Sequence, residues 1–111
     1  MASPFKRTAS VNVGTAPVDV LTVAALKVCT LIDASCANVE PGALQVLATV
    51  QSVQGATVAH LIKNGPVPAG SAMVVVGGSR KVVLVAGDKI RAVCDKANGM
   101  DVTLSYLEQD A

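Results

Sequence analysis

The chain has 111 residues, of which 51% are hydrophobic, 2% aromatic and 15% charged, with a formal net charge of +1. That length holds one domain, and burying roughly two-thirds of the unfolded surface gives it a real core. The near-neutral charge offers no electrostatic reason to bind nucleic acid or an anionic membrane, and no apolar run approaches the ~20 residues that span a bilayer.

The core must be built from Val, Leu, Ile and Ala, because one Phe, one Tyr and no Trp are present. A typical soluble domain is about 25% charged. With fewer charges than that, some apolar surface is expected to be covered by partners; a compact monomer with a Ser/Thr/Gly-rich exterior is the plainer alternative. The opening MASPFKRTAS has basic residues but no apolar segment after them, so no secretory signal is expected. Three cysteines, Cys29, Cys36 and Cys94, are an odd number without a C-x-x-C spacing, which is not a disulfide framework. Cys29 and Cys94 sit in strand-like runs and read as small hydrophobes. Cys36, nearer a turn, is the one expected to react with a thiol reagent.

In chain order, residues 1–16 look unlike the rest and read as an N-terminal arm, leaving 17–111 as the body. Pro4, Phe5, Lys6 and Arg7 are its aromatic-plus-basic cluster and the candidate partner contact; a frayed terminus is the alternative. Val18 to Val23 reads as the first strand. Leu26 to Val39 follows, with Val and Thr tipping it to strand over helix. Glu40-Pro41-Gly42 is a turn. Ala43 to Gln54 alternates with period two, and Thr57 to Lys63 resumes after Gly55-Ala56. Asn64-Gly65-Pro66 is expected to end that strand, because Pro lacks the ladder N–H. Ser71 to Val76 is the next strand, before Gly77-Gly78-Ser79.

The stretch from Lys81 to Gln109 organises the rest. Val82 to Val85 is a continuous apolar run, as expected of a strand covered on both faces. Gly87-Asp88 interrupts it, and Asp88 is expected to cap that turn. In Lys89 to Asp95, Ile90, Ala92 and Cys94 share one face. Asn98-Gly99 is suited to the positive φ angles of a tight hairpin. Met100, Val102, Leu104 and Tyr106 then alternate with polar residues, and the whole reads as a β-meander with one buried face. About eight short strands with frequent turns predict an all-β fold, a β-sandwich of jelly-roll type.

Nothing in the sequence points to catalysis, a cofactor or a metal. His60 is the only histidine, and a metal site needs several ligands converging. No G-x-S-x-G, phosphate loop or Cys-His spacing is present. Asp33, Glu40, Asp88, Asp95, Asp101 and Glu108 are scattered at turns and strand ends. The scarcity of aromatics disfavours stacking on nucleic acid or sugars.

The motifs VVLVAGDKI and DVTLSYLE, with AHLIKNGPVPAGSAMVV upstream, resemble small virion proteins of tailed bacteriophages. The pattern is most similar to the small capsid decoration (staple, or cement) proteins of epsilon15-like short-tailed phages, and it covers roughly the C-terminal half. The resemblance implies a structural protein on the capsid exterior that ties neighbouring major capsid subunits together, as a homodimer, with a trimer as runner-up. It implies no enzyme activity, cofactor, nucleic acid or membrane partner. The matching positions, Pro68, Gly70, Gly87, Asp88 and Glu108, are expected to determine the fold. The arm is expected to serve capsid attachment and to matter little for folding. A neck, tail or fibre protein, or a host-surface glycan binder, are the alternatives.

Overall fold

The computed structural model describes residues 4–79 and 81–111. They form nine strands: β1 (Phe5–Val13), β2 (Val18–Thr22), β3 (Lys27–Asn38), β4 (Val46–Gln54), β5 (Thr57–Val67), β6 (Ala72–Val76), β7 (Val82–Val85), β8 (Lys89–Cys94) and β9 (Met100–Asp110). The strands pair antiparallel in two sheets packed together as a β-sandwich. One sheet has the order β1-β9-β3-β6, with β7 also on β3, and the other has the order β2-β8-β4-β5. β3 is the longest strand and takes β9 along one edge and β7 then β6 along the other.

The core lies between the sheets. Leu31, Leu84, Met100, Val102 and Leu104 come from the five-stranded sheet and Val46, Val50 and Ile90 from the other, all fully buried. In β8 and β9 burial alternates residue by residue, as the period of the sequence requires. β3 keeps that alternation only by a bulge: its register on β9 shifts between Leu31 and Asp33, so Cys29 and Leu31 point inward before it and Ala34 and Cys36 after it.

The arm expected over residues 1–16 is not an arm. Residues 5–13 are β1, with Phe5 to Ser10 paired in unbroken register to Leu107 to Val102 on β9; residues 1–3 lie outside the described residues. The pattern was hidden because the inward positions of β1 up to its bulge carry Lys6, Thr8 and Ser10 instead of apolar residues, as an edge strand tolerates.

The C-terminal stretch is not a meander either. β7 and β9 belong to one sheet and β8 to the other, so Gly87-Asp88 and Asn98-Gly99 carry the chain between layers instead of closing hairpins. Asp88 does cap its turn: its carboxylate accepts the Val85 N–H at 3.0 Å, and its own N–H donates to the Val85 carbonyl. β5 runs past its expected end at Asn64. It is an edge strand, where Pro66 can sit without costing a ladder bond. Asn64 takes a φ of 53° and donates its N–H to Thr49 Oγ1 at 3.1 Å, so a bulge accommodates the break.

Cys36 is no more accessible than the other thiols. It is fully buried on β3, and burial pushes its thiol up to about 11. Burial raises Cys29 likewise, and Cys94 donates to the Val13 and Lys96 carbonyls. The expectation is therefore that native protein reacts with a thiol reagent at none of the three positions on the timescale of mixing, and at all three after denaturation. Fast labelling of the native protein, read by intact mass, would contradict this packing.

Candidate contact surface

The two sheets present different rows to the outside, although the four-stranded sheet also exposes Val58 in the row next to His60. On the four-stranded sheet, Asp19, Arg91, Gln51 and His60 lie in one row across β2, β8, β4 and β5. Arg91 Nε donates to Asp19 Oδ1 at 2.8 Å, and Gln51 Nε2 lies 3.2 Å from His60 Nε2. The hydrogen bond from Arg91 holds the Asp19 carboxyl below the usual carboxylate range. His60 is thus an exposed member of a polar row.

The five-stranded sheet carries the opposite chemistry at the corresponding level. Phe5, Leu107, Thr30 and Val83 stand side by side on β1, β9, β3 and β7, and residues opposed in a ladder point to the same face. The next row toward the strand ends holds Gln109, Val28 and Val85. Phe5 is 65% exposed, Val83 62% and Val85 54%. Leu26, 80% exposed, sits just before β3 with a φ of 64°, a conformation rare for a bulky side chain. Four of the large exposed apolar residues of the described chain therefore collect at one corner of one sheet. Val82 to Val85 is not covered on both faces as its apolar run predicts: only Leu84 is fully buried.

An open groove of ≈ 360 Å³ runs along this face, lined by Phe5, Lys6, Arg7, Ile32, Ser105 and Tyr106. Ile32, the extra residue of the β3 bulge with no partner on β9, is one of its walls. Lys6 Nζ binds Glu108 Oε1 at 2.9 Å, and this hydrogen bond raises the Lys6 pKa. The Pro4 carbonyl accepts the Glu108 N–H at 2.8 Å. Arg7, Ser105 and Asp33 form the next row inward on β1, β9 and β3. Neither Arg7 nor Asp33 makes an ion pair with another described residue.

Pro4, Phe5, Lys6 and Arg7 are thus brought together at one end of an apolar face, with Leu107, Val83 and Val85 as additions that the sequence reading missed. The signal for these was the VVLV run, which has a second meaning: an apolar outer face left open. Pro68 and Gly70 lie in the turn before β6, whereas Gly87 and Asp88 form the turn that follows Val85, with Asp88 bonded to the Val85 backbone. The Pro68 carbonyl accepts both the N–H and the hydroxyl of Ser71, and Gly87 takes a φ of 87°. Among the described residues no three His, Cys, Asp or Glu side chains come together as metal ligands would. Comparison with known protein families, with curated proteins and with solved structures found no match to this chain. No helix of the described residues is long and apolar enough to cross a membrane.

Proposed function

We propose that this chain is a structural virion protein, a decoration or cement protein of jelly-roll type that binds the outer surface of a tailed-phage capsid and staples neighbouring major capsid subunits. The observation that carries the reading is the asymmetry of the two outer faces. A polar, ion-paired row on one sheet is a solvated surface, whereas an apolar row bounded by a groove is what a protein partner covers. The nested pairing of β1 with β9, β2 with β8, β3 with β6 and β7, and β4 with β5 supports the jelly-roll description. It is the pattern of one long hairpin rolled into two sheets, an architecture used in viral capsid domains. The motif resemblance points the same way.

In this reading the outer face of the five-stranded sheet is where virion subunits meet the protein, with Phe5 as aromatic anchor and Arg7 in the next row; Lys6, between them, turns to the other side of β1 and pairs with Glu108. A buried aromatic and a bidentate Arg each supply a couple of kcal/mol at a contact. Modest binding per copy becomes substantial when many linked contacts act on one closed shell. A homodimer is placed ahead of a trimer, because a two-fold pair held together through this face presents its remaining surfaces to two neighbouring shell subunits at once.

The test is occupancy on purified particles by quantitative mass spectrometry. Hundreds of copies per particle are expected. About six to twelve would make it a neck or tail component, and none would remove it from the virion. Phe5→Ser with Arg7→Ser should leave folding nearly unchanged, since both side chains are exposed. It should reduce the copies retained by about tenfold, the cost of losing roughly 1.4 kcal/mol at an anchor, and heated particles should release DNA earlier. Full occupancy of this variant would sink the assignment of the face.

A further inference from the structure

We infer that the partner covering the outer face of the five-stranded sheet is a second copy of this chain, docked face to face about a two-fold axis running along β9. The inference rests on the cement reading only for its biological purpose; its evidence is the layout of the face itself.

β9 lies at the middle of the relevant strip, with β1 on one side and β3 on the other. A two-fold axis lying along β9 sets each β9 residue against itself and sets β1 of one copy against β3 of the other. The consequences follow row by row from the register. Leu107 meets Leu107 of the partner copy on the axis. Phe5 meets Thr30 and the adjoining Val83, in the same row. Arg7 meets Asp33, because both are opposed to Ser105 on β9. The isologous arrangement generates that last contact twice, once on each side of the axis.

Within one copy Arg7 and Asp33 stand on either side of β9, two strand spacings or roughly 9.6 Å apart, and are not paired. Pairing across the two-fold gives each its opposite charge, while the two Arg7 groups stay on opposite sides of the axis. No other row offers this. The polar face of the four-stranded sheet already pairs Arg91 with Asp19 internally, and the next row of the five-stranded face, Ala9, Thr103, Ser35 and Val74, carries no charge. The groove beside Ile32 gives the long Arg7 side chain room to lie flat.

The three strands that overlap about this axis, each about seven residues long, cover roughly 14 Å by 23 Å per copy. That is the size of a weak, transient contact and not of a stable one, so association no tighter than the micromolar range is expected.

Sedimentation equilibrium of the purified full chain, from about 1 to 200 µM, tests this. A monomer–dimer equilibrium is expected. Leu107→Arg places two like charges on the axis and should leave only monomer at every concentration. Arg7→Asp and Asp33→Arg should each weaken the dimer by at least about tenfold. The double exchange, Arg7→Asp with Asp33→Arg, should restore it to within a few-fold. Circular dichroism confirms that each variant is folded; a variant that is not is replaced by Ser105→Arg, which occupies the same axis. A wild-type monomer or trimer at 200 µM would overturn the inference. So would a dimer indifferent to the charge exchange. Occupancy on particles is read separately: a dimer with the expected exchange behaviour that decorates no shell refutes the cement reading and leaves the pairing standing, whereas a monomer that decorates shells does the reverse.

Discussion

Deleting residues 2–10 is expected to abolish cooperative folding, or to lower the thermal midpoint by more than about 15 °C. The segment contains Phe5 to Ser10, six consecutive residues in register with β9. Removing them strips the ladder from one edge of β9, and each net backbone hydrogen bond lost costs roughly 0.5–1.5 kcal/mol. The loss also uncovers the flank of Val102 and Leu104, both fully buried, and removes the Thr8 hydroxyl that donates to the Val20 carbonyl across to β2. Several kcal/mol is a large share of the roughly 5–15 kcal/mol that holds a domain of this size. A new unpaired edge on β9 should also make the shortened chain prone to aggregate. Thermal unfolding followed by circular dichroism checks this, with Phe5→Ser as the exposed-surface control. A deletion variant melting within a few degrees of the full chain would mean that β1 is a dispensable arm after all.

The contrast between those two variants shows where sequence reading succeeds and where it cannot. Period-two alternation placed β8 and β9 well, because each buries one face: Ile90, Ala92 and Cys94 in β8, and Met100, Val102, Leu104 and Tyr106 in β9. Alternation reports which face of a strand is buried, not which strand lies beside it. That is why three consecutive strands looked like a meander when they switch sheets at each turn. β1 was missed for a different reason. Its inward residues up to the bulge are Lys6, Thr8 and Ser10, whose polar ends reach solvent at the sandwich edge, so its core-facing side carries no apolar signal before Val13. β7 failed in the opposite sense: apolar residues on both sides implied double burial, but Val83 and Val85 are open. Cys36 reads as the reactive thiol because it lies nearer the Glu40-Pro41-Gly42 turn, whereas its side chain points into the core from β3. The candidate contact surface was half legible. The Phe5–Arg7 cluster stood out by composition. Its apolar neighbours on β7 and β9 are distant in sequence, and only the ladder brings them into one row.

Gly99→Val should be the most damaging single substitution at a turn, costing about 3 kcal/mol. The cause differs from the one that the Asn-Gly pair implies. Asn98 does adopt a positive φ, at 52°, but Gly99 is not among the positive-φ glycines. What requires glycine is crowding. A Cβ at this position would lie 2.7 Å from Cys94 Sγ, 2.8 Å from the Lys96 carbonyl oxygen and 3.1 Å from Val46 Cγ1. The backbone cannot retreat, because the Gly99 N–H donates to the Val13 carbonyl at 2.9 Å and its carbonyl accepts the Val39 N–H at 2.9 Å. Those two bonds tie the ends of β1 and β3 to the start of β9, and Cys94 Sγ donates to the Val13 carbonyl at the same spot. Any side chain must therefore displace the Lys96 carbonyl or break this junction, and overpacking of that kind costs typically 1–3 kcal/mol, occasionally more. For a chain of this length that corresponds to a drop of roughly 10 °C in the midpoint. Two companions separate the causes. Gly99→Ala should already cost about 1–2 kcal/mol, because the clash begins at Cβ. Asn98→Gly should be nearly neutral, since glycine accepts the same positive φ. If Gly99→Ala melted with the wild type while Asn98→Gly did not, the strain would reside in the turn's backbone angles and the crowded junction would be refuted.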